Sequence, residues 1–223
     1  MEHDKNLVII PAKNEEENLE KVIFSIPNNN KILVINDNSD DKTEEILIRN
    51  KIEYLTTKDF GNICGYDAAI NIGIRYALKN KYHNIITFDA DGELPSNMIN
   101  EFFFYLKNYD IVVGQRKTMR FSERIFSIIT SFFLKVKDPL CGMKSYQTKL
   151  FSDEQFKETY HIGTKYIIKF SKITKIKNIP ILTNKIKRNS RFGNFFTSNI
   201  KIFFVLFNSF FFIILQSLKI DKY

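Results

Sequence analysis

Apolar residues come in short blocks along this chain, and block after block stops at a polar cluster. Residues 7–10 are too few for a helix and rich in β-branched side chains, so the pattern predicts a strand that stops at Pro11. Residues 15–26 then place Leu19, Val22, Ile23 and Ile26 at helical spacing, behind Asn14 as N-cap and an acidic first turn of Glu15, Glu16 and Glu17. A second strand, 32–35, runs into Asn36-Asp37-Asn38-Ser39-Asp40-Asp41, and 43–49 resumes helix. A weaker strand at 52–55 precedes a helix at 65–78 with Ala68, Ala69, Ile72, Ala77 and Leu78 facing inward. The strand at 85–88 ends in Asp89, Asp91 and Glu93.

The alternation continues with a helix at 95–106 and a strand at 111–114 that leads into Gln115-Arg116-Lys117. Residues 122–136 are amphipathic to hydrophobic and read either as a core helix or as a membrane-leaning lid. Turn chemistry at 138–143 precedes a short extended stretch, then a cationic helix at 165–176 and an edge strand at 179–186. Strands alternating with helices, with polar clusters at strand ends, predict an α/β domain. Its sheet is doubly wound and mostly parallel, with ligands at the carboxyl edge. The glycine fingerprints of dinucleotide and phosphate loops are absent.

The last stretch differs. Residues 202–215 are apolar except for Asn208 and Ser209, and fall short of the roughly 20 residues of a membrane span. An interfacial or re-entrant helix is the expectation, with a short tilted span and a buried helix as alternatives. The division expected is a catalytic domain over 1–194 and a membrane-associating hydrophobic helix over 195–223.

Charge sharpens this picture. The net charge is +8, and no acidic residue falls between Glu158 and Asp221, a stretch holding most of the C-terminal lysines together with Arg188 and Arg191. Such asymmetry points to a polyanionic partner: nucleic acid, an anionic leaflet or a phosphorylated substrate. Cys64 and Cys141 match no metal or redox spacing, and the polar first residues do not read as an export signal. The abundance of Phe beside the lack of Trp reads as base-composition bias and carries no functional inference.

Asp89, Asp91 and Glu93, spaced by two, are expected on one side of the chain. Carboxylates this close repel in a low dielectric, and a hard divalent cation with oxygen ligands is the usual resolution. The bland reading is an acidic turn closed by Gly92 and Pro95.

Four segments taken together resemble one family: Val8-Ile9-Ile10-Pro11-Ala12-Lys13-Asn14-Glu15, Val34-Ile35-Asn36-Asp37-Asn38-Ser39, Phe88-Asp89-Ala90-Asp91-Gly92-Glu93 and Asp138-Pro139-Leu140-Cys141-Gly142. In order and spacing they resemble family 2 glycosyltransferases of the GT-A fold, and within them the dolichyl- and polyprenyl-phosphate sugar synthases. The resemblance covers roughly residues 6–194. It implies that Pro11, Asn14, Glu15 and Asp37 meet the nucleotide of a UDP- or GDP-sugar. Asp89 and Asp91 would meet Mg²⁺ or Mn²⁺ and the sugar diphosphate, with Glu93 as a further metal ligand. Arg116 and Arg124 would steer phosphates as catalytic cations, and Arg188, Ser190 and Arg191 would hold the acceptor phosphate. Cys141 stands where the family usually has Ser, and Asn189-Ser190-Arg191 where it usually has Gly-x-Ser-Lys.

The implied activity is inverting transfer of a sugar to a polyprenyl phosphate at the cytoplasmic face of the plasma membrane. The runner-up transfers to a sugar hydroxyl of a lipopolysaccharide or capsule precursor, with Asp138 as base. A nucleic-acid-binding module would leave the strand-end carboxylates unexplained, and no nucleic-acid partner is expected.

Overall fold

The structure, a computed structural model, describes residues 5–61, 63–151, 164–171, 173–184 and Phe207. In chain order the elements are β1 (Asn6–Ala12), α1 (Leu19–Ser25), β2 (Lys31–Asn36), α2 (Thr43–Arg49), β3 (Tyr54–Thr56), α3 (Tyr66–Lys79) and β4 (Asn84–Thr87). These are followed by α4 (Ile99–Tyr105), β5 (Ile111–Arg116), α5 (Phe121–Leu134), β6 (Lys144–Gln147), α6 (Lys165–Phe170) and β7 (Ile176–Ile181). The strands form one seven-stranded sheet in the order β3-β2-β1-β4-β6-β5-β7. Pairings are parallel except those of β6, which runs antiparallel to both β4 and β5.

Alternation along the central strands divides the core between the two faces of the sheet. Leu7, Ile9, Leu33, Ile35, Ile85, Ile111 and Val113 pack with α3 and α6. Their neighbours Val8, Ile10, Val34, Ile86 and Val112 pack against α1, α2 and α4 on the other face. Helices on both faces of a mostly parallel sheet are the architecture that the sequence pattern predicts.

Several boundaries move for physical reasons. β1 continues through Pro11 because the β4 ladder already ends at the Ile9–Thr87 pair. The side of β1 on which Pro11 lacks an N–H therefore has no strand to serve. Asn14 does not cap a helix. It adopts φ 53°, and the 15–18 segment is a turn, so α1 begins only at Leu19. The cationic helix expected over 165–176 ends at Phe170, and Ile176 instead opens the edge strand β7. Among the described residues no helix is long and apolar enough to cross a membrane. The expected tail helix at 202–215, apart from Phe207, and Arg188, Ser190 and Arg191 lie outside the described residues.

Candidate active site

The carboxyl ends of β1, β2, β4 and β5 open on one edge, and the reversed β6 begins there. Lys144, its first residue, pairs with Thr87 on β4 and Val113 on β5. The 138–143 turn consequently lies against the residues that follow β4. The Thr87 hydroxyl donates to the Gly142 carbonyl at 2.7 Å. A methyl group on Gly142 would collide with the Asp89 carboxylate. Only a glycine lets the backbone form that wall of the site.

Asp89 lies on this wall. The Tyr66 hydroxyl, at the start of α3, donates to its Oδ1 at 3.2 Å. Burial, and then the charge of Asp91, raise the Asp89 carboxyl to about 6, while Lys144, Tyr66 and Arg116 pull the other way. Asp91 folds back to accept the Glu93 N–H at 3.0 Å, in a tight turn for which Gly92 takes φ 80°. Glu93 is exposed as a residue, but its carboxyl end is partly shielded among the charges of Asp91, Arg116, Arg120 and Glu123; that shielding, and then Asp91, raise its pKa. Among the described residues no three Asp, Glu, His or Cys side chains converge as a metal-ligand set. Glu93 feels the charge of Asp91 as well as that of Arg116 and Arg120, so the three carboxylates share one acidic turn without closing on a single point. The oxygen donors of Asp89 and Asp91, with their excess of negative charge, fit a hard divalent cation.

Arg116, expected as a loose phosphate-steering cation, is held on several sides. Its Nε and Nη2 donate to the two oxygens of Asp138 at 2.8 and 3.0 Å, its backbone N–H donates to the same carboxylate, and Glu123 lies 3.5 Å from Nη1. Burial opposes the charge, but the Asp138 bonds outweigh it and hold Arg116 firmly protonated. Asp138, at 1% exposure, is correspondingly occupied. Arg124 is exposed on α5.

The segments after β1 and β2 are laced together. The Asn14 N–H donates to Ser39 Oγ at 3.0 Å and Asn14 Oδ1 accepts from the Asp40 N–H at 2.8 Å, while the N–H of the buried Glu15 donates to Thr43 Oγ1. Pro11 is buried within β1. Asp37, also buried, accepts the Gly65 N–H on both oxygens and the Thr57 hydroxyl. It fastens the start of α3, and so Tyr66, to the end of β2.

Sequence reasoning missed Tyr66, Gly142 as the wall behind Asp89, and Lys144. Lys144 is 2% exposed; burial lowers its pKa, and Cys141, Asp89 and Asp138 counter that. Burial, and then the charge of Asp138, push the Cys141 thiol up to about 12, so it stays neutral.

Residues 7–177 match the family described as Glycosyl transferase family 2. The chain belongs to that family. An uncharacterized protein of Methanocaldococcus jannaschii is 27% identical to this glycosyltransferase over 225 residues, covering 91% of each chain. An uncharacterized glycosyltransferase of Mycobacterium bovis is 26% identical over 146 residues, covering 63% of this chain and 64% of its own length. Among solved structures, glucosyl-3-phosphoglycerate synthase from Mycobacterium tuberculosis, in complex with Mn²⁺, uridine diphosphate and glucosyl-3-phosphoglycerate, is similar with a TM-score of 0.75 at 16% identity. That likeness covers 93% of this glycosyltransferase and 80% of the synthase, and is one of fold, the GT-A arrangement.

Proposed function

We propose that this glycosyltransferase moves a sugar, with inversion, from a nucleotide-sugar to a polyprenyl phosphate at the cytoplasmic membrane face, using Mg²⁺ or Mn²⁺. The observation that carries the acceptor class is the state of Asp138. A sugar hydroxyl needs a carboxylate base, and Asp138, the base candidate in the sequence, is buried and gripped by Arg116 through three donors. A phosphate monoester, with a second pKa near ~6, is already ionised at neutral pH and needs no base.

Asp89 and Asp91 are the residues that would hold the cation. Bound there, a divalent metal stabilises charge on the departing nucleoside diphosphate. Asp89 is oriented for that task by Tyr66 and backed by Gly142. The laced segments after β1 and β2 leave Asn14, Glu15 and the Asp37-fastened loop at the same edge, where the nucleotide would lie. Asn184 supports the acceptor side: its N–H donates to the Glu93 carbonyl at 2.8 Å and its amide to the Gly92 carbonyl at 3.0 Å. Arg188 is four residues further on in the sequence. In this reading Arg188, Ser190 and Arg191 receive the lipid phosphate, and residues 195–223 associate with the bilayer.

The similar synthase is seen in complex with glucosyl-3-phosphoglycerate and with phosphoglyceric acid, which favours a second reading: a small soluble phosphorylated acceptor. One experiment separates the two. Membranes containing the protein are given a panel of nucleotide-sugars with either polyprenyl phosphate or 3-phosphoglycerate, and the donor consumed and product formed are read by mass spectrometry. Glycosylated polyprenyl phosphate is expected; a glycosylated phosphoglycerate moves the assignment to the second reading, and a glycosylated sugar hydroxyl overturns both.

A further inference from the structure

The exposed face of α5 carries large apolar side chains at the spacing of one helical stripe. Phe121, Ile128 and Phe132 are 68%, 70% and 82% exposed, and their separations of seven and four residues place them within one narrow sector of the helix. Exposed Arg124 and Lys135 border the stripe, with Lys117 and Lys137 at its two ends. The acidic groups of this region are turned away: the Glu123 carboxylate is 12% exposed beside Arg116, and Asp138 is buried on the same arginine. The opposite side of α5, through Ser122, Phe126, Thr130 and Leu134, is buried.

We infer that α5 lies flat on an anionic lipid bilayer, with Phe121, Ile128 and Phe132 entering the headgroup boundary and the surrounding cations facing lipid phosphates. Charge decides for a lipid surface over a second copy of the chain, because among the described residues the exposed charges on α5 and its flanks, Lys117, Arg124, Lys135 and Lys137, are cations and two such faces would repel. The first turn of α5 is held at the carboxyl edge of the sheet, where Glu123 lies 3.5 Å from Arg116 at the end of β5. A bilayer under this face would therefore open onto the candidate active site. The purpose of the docking rests on the lipid-acceptor reading; its measurement does not.

The chain contains no Trp, so Phe132→Trp introduces a sole indole. With the full-length protein and phosphatidylglycerol-containing vesicles, its emission should shift to the blue. Bromine-labelled acyl chains should quench it at least about twofold, and phosphatidylcholine vesicles in high salt should abolish both effects. Phe24→Trp, on α1 across the sheet, should not respond. The pair Ile128→Ser and Phe132→Ser should lower vesicle partition about tenfold while leaving nucleotide-sugar binding unchanged. An unresponsive indole at 132 on protein that still pellets with vesicles would overturn the proposal and assign binding to another segment. A blue shift that follows protein concentration without lipid would overturn it in favour of self-association. Insertion without transfer to polyprenyl phosphate would sink the acceptor reading alone.

Discussion

Asp89 is the side chain on which most of the site converges, and its protonation sets two expectations. Its folded value of about 6 lies above the ordinary carboxylate value of 3.8, so the folded protein holds this proton more tightly than the unfolded chain does. Ionisation between about pH 4 and pH 6 therefore costs stability, and the cost is fully present above pH 6 in the absence of a cation. Asp89→Asn should accordingly stabilise the metal-free protein by about 1–3 kcal/mol at pH 7 and by little at pH 4, as read by thermal denaturation. Cation binding needs the ionised form, so Mn²⁺ and donor affinity should fall as pH drops below about 6, measurable by calorimetry. Asp91→Asn should reduce transfer at least ~100-fold with the fold intact, the scale of losing one preorganised electrostatic contact. Glu93→Gln should be milder, since a neutral amide still offers an oxygen to the cation. Gly142→Ala presses a methyl into Asp89 and should weaken metal-supported donor binding about tenfold with little change in melting temperature.

At the scale of elements, the Arg116–Asp138 pair joins the end of β5 to the turn before β6. Arg116→Met leaves a carboxylate buried without its partner and should cost about 3–5 kcal/mol, seen as a fall in the denaturant midpoint. Activity should recover in proportion to the folded fraction when a stabilising ligand is added; activity that stays lost in fully folded protein would return Arg116 to direct phosphate contact. The parallel half of the sheet was legible because runs such as Leu7-Val8-Ile9-Ile10 are apolar on both faces and end in polar clusters. β6 was not: Lys-Ser-Tyr-Gln has neither an apolar run nor a clean alternation, and its direction is set by neighbours far away in sequence. Lys165, Lys169 and Lys172 imitate the polar stripe of a helix and hide the point where α6 stops. Asp89 and Asp91 could be read from their strand end, whereas Tyr66 and Lys144 carried no local signal, the first being placed by the Asp37 anchor on α3 and the second by strand pairing. Asp37 and Asp138 were legible as polar positions in the motif segments, but their engagement by Gly65 and Arg116 belongs to tertiary structure.

At the scale of the whole molecule, the basic C-terminal third and the acidic strand ends divide the labour that the proposed function needs. Arg188→Ala with Arg191→Ala should impair transfer to polyprenyl phosphate while donor affinity stays within a few-fold of wild type; a collapse of donor affinity would reassign both arginines to the nucleotide diphosphate. Removing residues 202–223 should weaken membrane association, with less effect on transfer to a short, water-soluble prenyl phosphate. The reversed strand β6 has a further consequence, for the order in which the enzyme is made. Lys144 and Thr87 meet across 57 residues, so β1 to β4 can pair while the chain is still growing, but Asp89 lacks its glycine wall until the ribosome has passed β6. The acidic pair should then be among the last features to gain protection during synthesis, and a nascent chain arrested before residue 138 should hold the parallel β3-β2-β1-β4 half of the sheet with no grip on Mn²⁺.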